Sequence, residues 1–311
     1  MLRICITGGS GYIGSVLCER LLSSGHKIVA LDNLHYRQST LLHLCNHPDF
    51  DFVRGDVRDR ATLAPILAKS DVIIHLAALV GAPACDLDPR YALSVNFEAS
   101  VQLNDLRSRE QLLVYPTTNS GYGTKDGAVL CTEETPLEPI SLYGHTKADA
   151  EREILQKENA ITLRLATVFG TSPRMRYDLL VNHFVMAALT DRSLVIFEKD
   201  FKRNFVHIRD VADCFLHCID HSGEMSGRPY NLGLDSANMS KGELALAIRE
   251  EIPDFHIIFS EIGSDPDKRN YIVSSARLKA AGFEARRSLR DGIRELVKGC
   301  RMIDIGPYRN A

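Results

Sequence analysis

Short runs of consecutive apolar residues alternate, through the first half of the chain, with stretches whose apolar positions recur every three or four residues. The first run covers residues 2–6, and TGGSGYIG (residues 7–14) follows at once. A helical pattern then carries Val16, Leu17, Leu21 and Leu22 to a stop at Gly25, and a second apolar run, residues 28–31, ends at Asp32. Runs at 50–53, 72–76, 112–115 and 161–165 predict the third to sixth strands, with helices through Leu67 and over 89–107 and 143–158. Unbroken apolar runs suit strands covered on both faces, and the βαβα alternation predicts an α/β fold with a parallel, doubly wound sheet. From about Thr171 the alternation gives way to short elements and charged turns, which predicts a smaller C-terminal α/β lobe over the strand ends. The expected division is 1–168, rejoined by 204–222, against a lobe of mainly 169–311.

Residues 2–32 therefore run strand, glycine turn, helix, strand, acid. Gly8, Gly11 and Gly14 let the backbone turn tightly and approach a pyrophosphate, and the helix beginning near Tyr12 and Ile13 aims its unpaired N–H groups at that anion. Asp32 lies about twenty residues past the loop, where a carboxylate accepts hydrogen bonds from an adenosine ribose. This predicts a Rossmann-type dinucleotide site. A 2′-phosphate beside Asp32 would bring like charges together, so NAD is favoured over NADP. Asn33 follows the acid, and Arg37 is the nearest cation in sequence.

Ligands on such sheets bind beyond the carboxyl ends of the strands. There the chain places GDVRD (55–59), AALVGA (77–82), PTTNSGYG (116–123) and ATVFG (166–170). Asp56 could accept from an adenine amino group, or simply cap a helix. The small residues of AALVGA let a cofactor lie against the backbone. In the second half, SPRMR (172–176), Arg203 in KRNFVHIRD (202–210) and Arg269 in DPDKRNY (265–271) are candidate diphosphate ligands, since arginine forks suit phosphate oxygens.

Tyr143 and Lys147 stand four residues apart in YGHTK, on one face of a predicted helix. A phenol with a reference pKa near 10 is a poor base at neutral pH; a neighbouring ammonium and a positively charged nicotinamide favour its ionised form. Lowering that pKa by roughly 3 units corresponds to about 4 kcal/mol. With the dinucleotide loop upstream and a hydroxyl-rich turn between, the pair fits alcohol oxidation. Tyr143 takes the hydroxyl proton, Thr118 holds the same oxygen, and Lys147 also binds the nicotinamide ribose.

The chain of 311 residues, 45% hydrophobic, suffices for one large domain and a smaller lobe. A net charge of −3 gives no electrostatic footprint for nucleic acid or an acidic membrane surface. No apolar run approaches bilayer length, and the first residues lead straight into a strand rather than a leader, so a cytoplasmic protein is expected. The eight cysteines are scattered without CxxC, which predicts reduced, buried thiols, and the eleven histidines show no metal-binding spacing.

TGGSGYIG, Asp32, GDVRD, HLAA (75–78), Asn96, the Thr118 loop, YxxxK and RNFVHIRDVAD together resemble the extended short-chain dehydrogenase/reductase family, over residues 2 to about 298. Within it the chain resembles nucleotide-sugar epimerases, dehydratases and C4 dehydrogenases. YPTTNSGYG, RLATVFGTSPRMRYDLLVNHF and DPDKRNYIVSSARL are most similar to bacterial GDP-heptose 4-dehydrogenases of capsule biosynthesis.

The resemblance implies that Thr118, Tyr143 and Lys147 are catalytic. It implies NAD contacts from the glycine loop, Asp32, Asn33, Asp56 and Val57, from Leu76, Ala77 and Ala78, and from Asn96 and Ala166. Substrate contacts are implied for Val80, Gly81, Thr118, Asn119 and Ser120, for Arg174, Arg203 and Arg269, for Leu179 and Asn182 at a helix start, and for Phe197 in a nucleotide-base wall. It implies a nucleotide-diphosphate sugar as substrate, GDP favoured over UDP, and a homodimer formed through the 89–107 and 143–158 helices. The family's 4,6-dehydratases carry Asp-Glu directly after the threonine; Asn119 and Ser120 stand here, which disfavours dehydration.

Overall fold

The apolar runs of the first half become neighbouring parallel strands. In the computed structural model, which describes residues 1–125, 129–263 and 269–302, seven strands form one sheet. Their spatial order is Arg228–Leu232, Ala160–Leu165, Leu112–Thr118, Val72–His75, Arg3–Thr7, Lys27–Asp32 and Phe50–Arg54. Every residue of Val72–His75 and of Ala160–Leu165 is buried, as expected of strands with helices on both faces. From Arg3–Thr7 the chain builds outward through two strands, then crosses back to start the other half at Val72–His75. The sheet thus reverses direction between Arg3–Thr7 and Val72–His75, and a crevice opens where both strands end.

The seventh strand, Arg228–Leu232, pairs in parallel with Ala160–Leu165, although sequence placed its residues in the second lobe. RPYNL has no apolar run to announce a strand; register with its neighbour, Tyr230 opposite Leu163, supplies what local pattern lacks. Before it, helix Ile208–Asp220 packs on the helix after the glycine loop through a shared core that includes Leu17, Val211 and Phe215, with Arg20 donating to Asp213 at 2.7 Å.

Two predicted elements differ in ways that matter for the site. The strand expected over 112–115 runs on to Thr118, so that residue stands at a strand terminus facing the crevice. The single helix predicted over 89–107 is three segments, Pro89–Leu93 and Ala99–Leu106 joined by a π-helical turn, Ser94–Glu98, that contains Asn96. Such turns insert one residue into a helix and re-aim a side chain.

The smaller lobe holds a three-stranded sheet of Asn238–Ser240, Lys202–His207 and Thr167–Phe169, and a parallel pair, Ser193–Phe197 with His256–Ser260. Its own core gathers Phe169, Phe184, Phe205, Leu244, Phe255, Ile293 and Leu296. Among the described residues no helix is long and apolar enough to cross a membrane.

Candidate active site

A cavity of about 870 Å³ runs from the glycine loop, past the ends of the central strands, to strand Ser193–Phe197 of the smaller lobe. Its floor is built by glycine. Gly8 takes φ +71°, and a Cβ on it would lie 2.7 Å from the backbone nitrogen of Ala77. A Cβ on Gly14 would lie 2.3 Å from the Gly8 carbonyl oxygen. No side chain caps helix Tyr12–Ser23, and its first turn holds no acid, so its N–H groups remain available to an anion.

Asp32 accepts from the backbone N–H of Ser10 at 2.9 Å and of Leu34 at 2.8 Å. Burial nonetheless dominates and raises its pKa above the ordinary carboxylate value. Two buried polar atoms on the following loop, the Tyr36 hydroxyl and Gln38 Oε1, have no hydrogen-bond partner, and both residues line the cavity. Arg37, the cation nearest in sequence, is exposed and outside the cavity wall. A cation that does act on Asp32 is Arg174, which lies 4.7 Å over the Tyr36 ring. Sequence assigned Arg174 to the substrate; the fold brings it to the Asp32 end. A glycine cradle, an uncapped helix start, a buried carboxylate and orphaned polar atoms together fit NAD.

Asp56 and Asn33 are on the wall, but their polar atoms are largely spent. Asp56 accepts from the Arg58 backbone N–H, Nε and Nη2, each at 2.9 Å, and from Asn33 Nδ2 at 3.1 Å. The Arg58 hydrogen bonds hold the Asp56 carboxyl at about 2. Its accepting positions are thus filled, and contact with an adenine amino group would have to displace one donor.

At the other end stand Thr118, Tyr143 and Lys147. The Thr118 hydroxyl donates to Ser120 Oγ at 2.9 Å and accepts from the Ser120 N–H at 3.1 Å, which turns the chain into the short helix Asn119–Tyr122. Arg269 in turn donates to Ser120 Oγ. Ser141 caps helix Leu142–Ile154, accepting from Gly144 N at 3.1 Å, and so starts the helix one residue before Tyr143. Lys147 is 3% exposed, with its ammonium 3.8 Å above the Tyr115 ring.

In the protein alone, without the nicotinamide charge, burial decides the state of the phenol. Desolvation pushes Tyr143 up to about 12, against the pull of the Arg176 and Arg269 charges. Desolvation also draws Lys147 down to about 7, with Glu151 opposing. In the protein alone, therefore, enclosure outweighs every neighbouring cation, and Tyr143 holds its proton.

Of the sequence-predicted site residues, Gly8, Gly11, Tyr12, Ile13, Gly14, Asp32, Asn33, Asp56, Val57, Leu76, Ala77, Ala78 and Ala166 line the dinucleotide side of this cavity or its middle. Val80, Gly81, Thr118, Ser120, Leu179, Phe197, Arg203 and Arg269 line the remainder. Three do not line it. Asn96 accepts from Leu79 N at 2.8 Å and donates to Leu79 O at 3.0 Å, so it holds the wall from behind. Asn182 donates to the Tyr12 hydroxyl at 3.2 Å and to Arg176 O at 2.9 Å, and accepts from Gly170 N at 3.2 Å. Asn119, with its amide oriented to satisfy its neighbours, donates to Arg164 O at 3.0 Å. These three buried amides tie loops together rather than face a ligand.

Sequence missed Tyr36, Gln38 and Lys241, and singled out Arg176 only as part of SPRMR. Arg176, the second arginine of that segment, pairs with Asp178 and acts on Tyr143. With Arg203, Arg269 and Lys241 it makes this half of the cavity cationic.

Residues 4–233 match the model of the NAD dependent epimerase/dehydratase family. A UDP-glucose 4-epimerase of Mycolicibacterium smegmatis is 30% identical over 96% of this chain and 98% of its own. UDP-glucuronic acid decarboxylase 4 of Arabidopsis thaliana is 29% identical over 99% of this chain and 71% of its own. Among solved structures, a UDP-glucose 4-epimerase of Thermotoga maritima superposes with a TM-score of 0.85 at 22% identity, covering 97% of this chain and 99% of that one, a likeness of fold. The chain belongs to the NAD dependent epimerase/dehydratase family, within the extended short-chain dehydrogenases/reductases, and is an NAD-dependent enzyme of nucleotide-sugar chemistry.

Proposed function

We propose that the protein oxidises C4 of a nucleotide-diphosphate sugar and releases the 4-keto product, with a GDP-linked heptose of bacterial surface polysaccharide synthesis as the leading substrate. The observation that carries this reading is the convergence of Thr118, Tyr143 and Lys147 on one end of the dinucleotide cavity, with Arg203 and Arg269 on the same walls. NAD, when bound, supplies the hydride acceptor and a positive ring beside the phenol. The Tyr143 oxygen takes the C4 hydroxyl proton as the C–H bond breaks, Thr118 orients that hydroxyl, and the Lys147 ammonium favours the ionised phenol. Arg203 and Arg269 hold the diphosphate, and Phe197 lies against the base.

Among the described residues the acids that line the cavity are Asp32, Asp56, Asp86 and Asp178. The first two belong to the dinucleotide end, Asp178 is paired with Arg176, and Asp86 is exposed. Among the described residues no acid–base carboxylate pair adjoins Thr118, which argues against loss of water across C5 and C6. The 30% identical epimerase favours a second reading, in which the same keto sugar turns over in place and is reduced on its opposite face. A homodimer through the helices at 89–106 and 142–154 completes the reading.

Incubation with NAD and a panel of GDP-, UDP-, dTDP- and CDP-sugars in ¹⁸O water, followed by mass spectrometry, separates these outcomes. A released ketone exchanges its oxygen and leaves NADH. An epimer without ¹⁸O identifies the second reading. Loss of water or of carbon dioxide would refute both.

A further inference from the structure

Arg164 and Glu151 line no part of the cavity, yet the elements that carry the catalytic groups meet at them. Glu151 lies four residues beyond Lys147 on helix Leu142–Ile154, on the same face. Arg164 stands on strand Ala160–Leu165, opposite Thr117 in the parallel register. Its Nε and Nη2 grip Glu151 Oε1 at 3.0 and 2.6 Å, and its Nη1 donates to the Tyr122 hydroxyl at 3.0 Å and to Glu133 O at 3.1 Å. Its own carbonyl accepts from Asn119. Both ends of the turn that begins at Thr118 are thereby fastened to the residue that clamps the Tyr143–Lys147 helix.

Lys147 is enclosed by Tyr143 and Glu151 of its own helix, by Tyr115 and His75 of two central strands, and by Cys85 of helix Ala82–Leu87. Burial pushes the Cys85 thiol up to about 11, the Tyr143 phenol up to about 12 and the His75 imidazole down to about 3, so all three are neutral near pH 7. Glu151 is the one standing negative charge in that shell among the described residues.

We propose that Glu151, clamped by Arg164, is the counter-charge that keeps Lys147 an ammonium beneath Tyr143, and that Arg164 ties this counter-charge to the loop carrying Thr118. The pair is a positioning device, and the proposal rests on the reading of Tyr143 and Lys147 as the catalytic pair. The downward pull of burial on Lys147, against which Glu151 is the first opposing charge, agrees with it.

The test follows Lys147 directly, in ¹³C spectra of the full chain labelled at lysine Cε and saturated with NAD, the resonance being the one absent from Lys147→Arg. Glu151→Gln should lower the titration midpoint by about 1 unit or more. Arg164→Met should raise it, because Glu151 then has Lys147 as its remaining cation. The double variant Glu151→Gln/Arg164→Met removes both members of the ion pair, so neither partner is left buried without the other, and it should fold where a single variant fails. Its midpoint should fall as in Glu151→Gln. A merely loosened fold would move both single variants the same way, and an unmoved midpoint in the double variant overturns the proposal. Shifts as expected without turnover on any sugar nucleotide would leave this proposal standing and remove the catalytic reading; turnover with an unmoved midpoint would do the reverse.

Discussion

Gly8→Ala tests the dinucleotide cradle most sharply when set beside Gly25→Ala. Both glycines have positive φ, +71° and +80°, so a side chain at either position meets the same left-handed strain. That strain costs about 1–2 kcal/mol. Around Gly25 nothing lies within 4 Å of an added Cβ, so strain is the whole penalty there. At Gly8 the added carbon would stand 2.7 Å from Ala77 N and 2.9 Å from Ala77 Cα, backbone atoms that cannot rotate aside. Overpacking adds about 1–3 kcal/mol, for a total of roughly 2–5. The only relief is to push apart the glycine loop and the loop after Val72–His75, the two walls that would hold the cofactor. Urea unfolding without NAD should show a loss of about 1–2 kcal/mol for Gly25→Ala and roughly 2–5 for Gly8→Ala. Calorimetric titration with NAD should then show unchanged affinity for Gly25→Ala and at least a tenfold loss for Gly8→Ala, about 1.4 kcal/mol. Full NAD affinity in a folded Gly8→Ala protein would refute the placement of the cofactor on this loop.

Tyr143→Phe should leave NAD affinity near normal and lower turnover by about 10²–10⁴-fold; equal turnover in steady-state assays would remove Tyr143 as the base. Because the folded pKa of Lys147, about 7, lies below its ordinary 10.5, the unfolded chain binds more protons at this residue between those values. The Lys147 contribution to stability without NAD rises with pH across that window, while buried thiols such as Cys85, raised above their ordinary 9, act in the opposite direction. The urea midpoint of the wild type measured against that of Lys147→Met should therefore increase from pH 7 to 9; a difference independent of pH would show that Lys147 does not titrate in this window. Asn182→Ala should cost about 1–3 kcal/mol in unfolding, since it releases Tyr12, Gly170 and Arg176 together, and should raise KM through the freed Arg176 loop. A neutral effect on both would show that those bonds are not needed.

What the sequence disclosed was whatever depends on local spacing. The glycine turn between an apolar run and a helix, the acid at the end of the next strand, and Tyr143 with Lys147 one turn later are all fixed by chain geometry within a few residues. The strand Arg228–Leu232 was not legible, because its place at the sheet edge comes from pairing with Ala160–Leu165 and not from its own apolar content. Asn96, Asn119 and Asn182 were expected at the ligand from the family resemblance alone. A polar residue's partner across space leaves no trace in spacing, and here each partner is another backbone or side chain of the fold. The two arginines of SPRMR are similar in sequence, yet in the fold Arg174 acts on Asp32 and Arg176 on Tyr143. In the protein alone burial outweighs the cations around Tyr143, and spacing shows those cations but not the enclosure.

The central claim is that a hydrogen leaves C4 of the sugar for the nicotinamide. A single-turnover incubation of the NAD-loaded enzyme with sugar nucleotide deuterated at C4, analysed by mass spectrometry of the recovered cofactor, measures that transfer. The account predicts NADH, or its trapped equivalent, carrying the deuterium at the nicotinamide C4. Cofactor without deuterium, alongside a sugar chemically changed at another carbon, would contradict it.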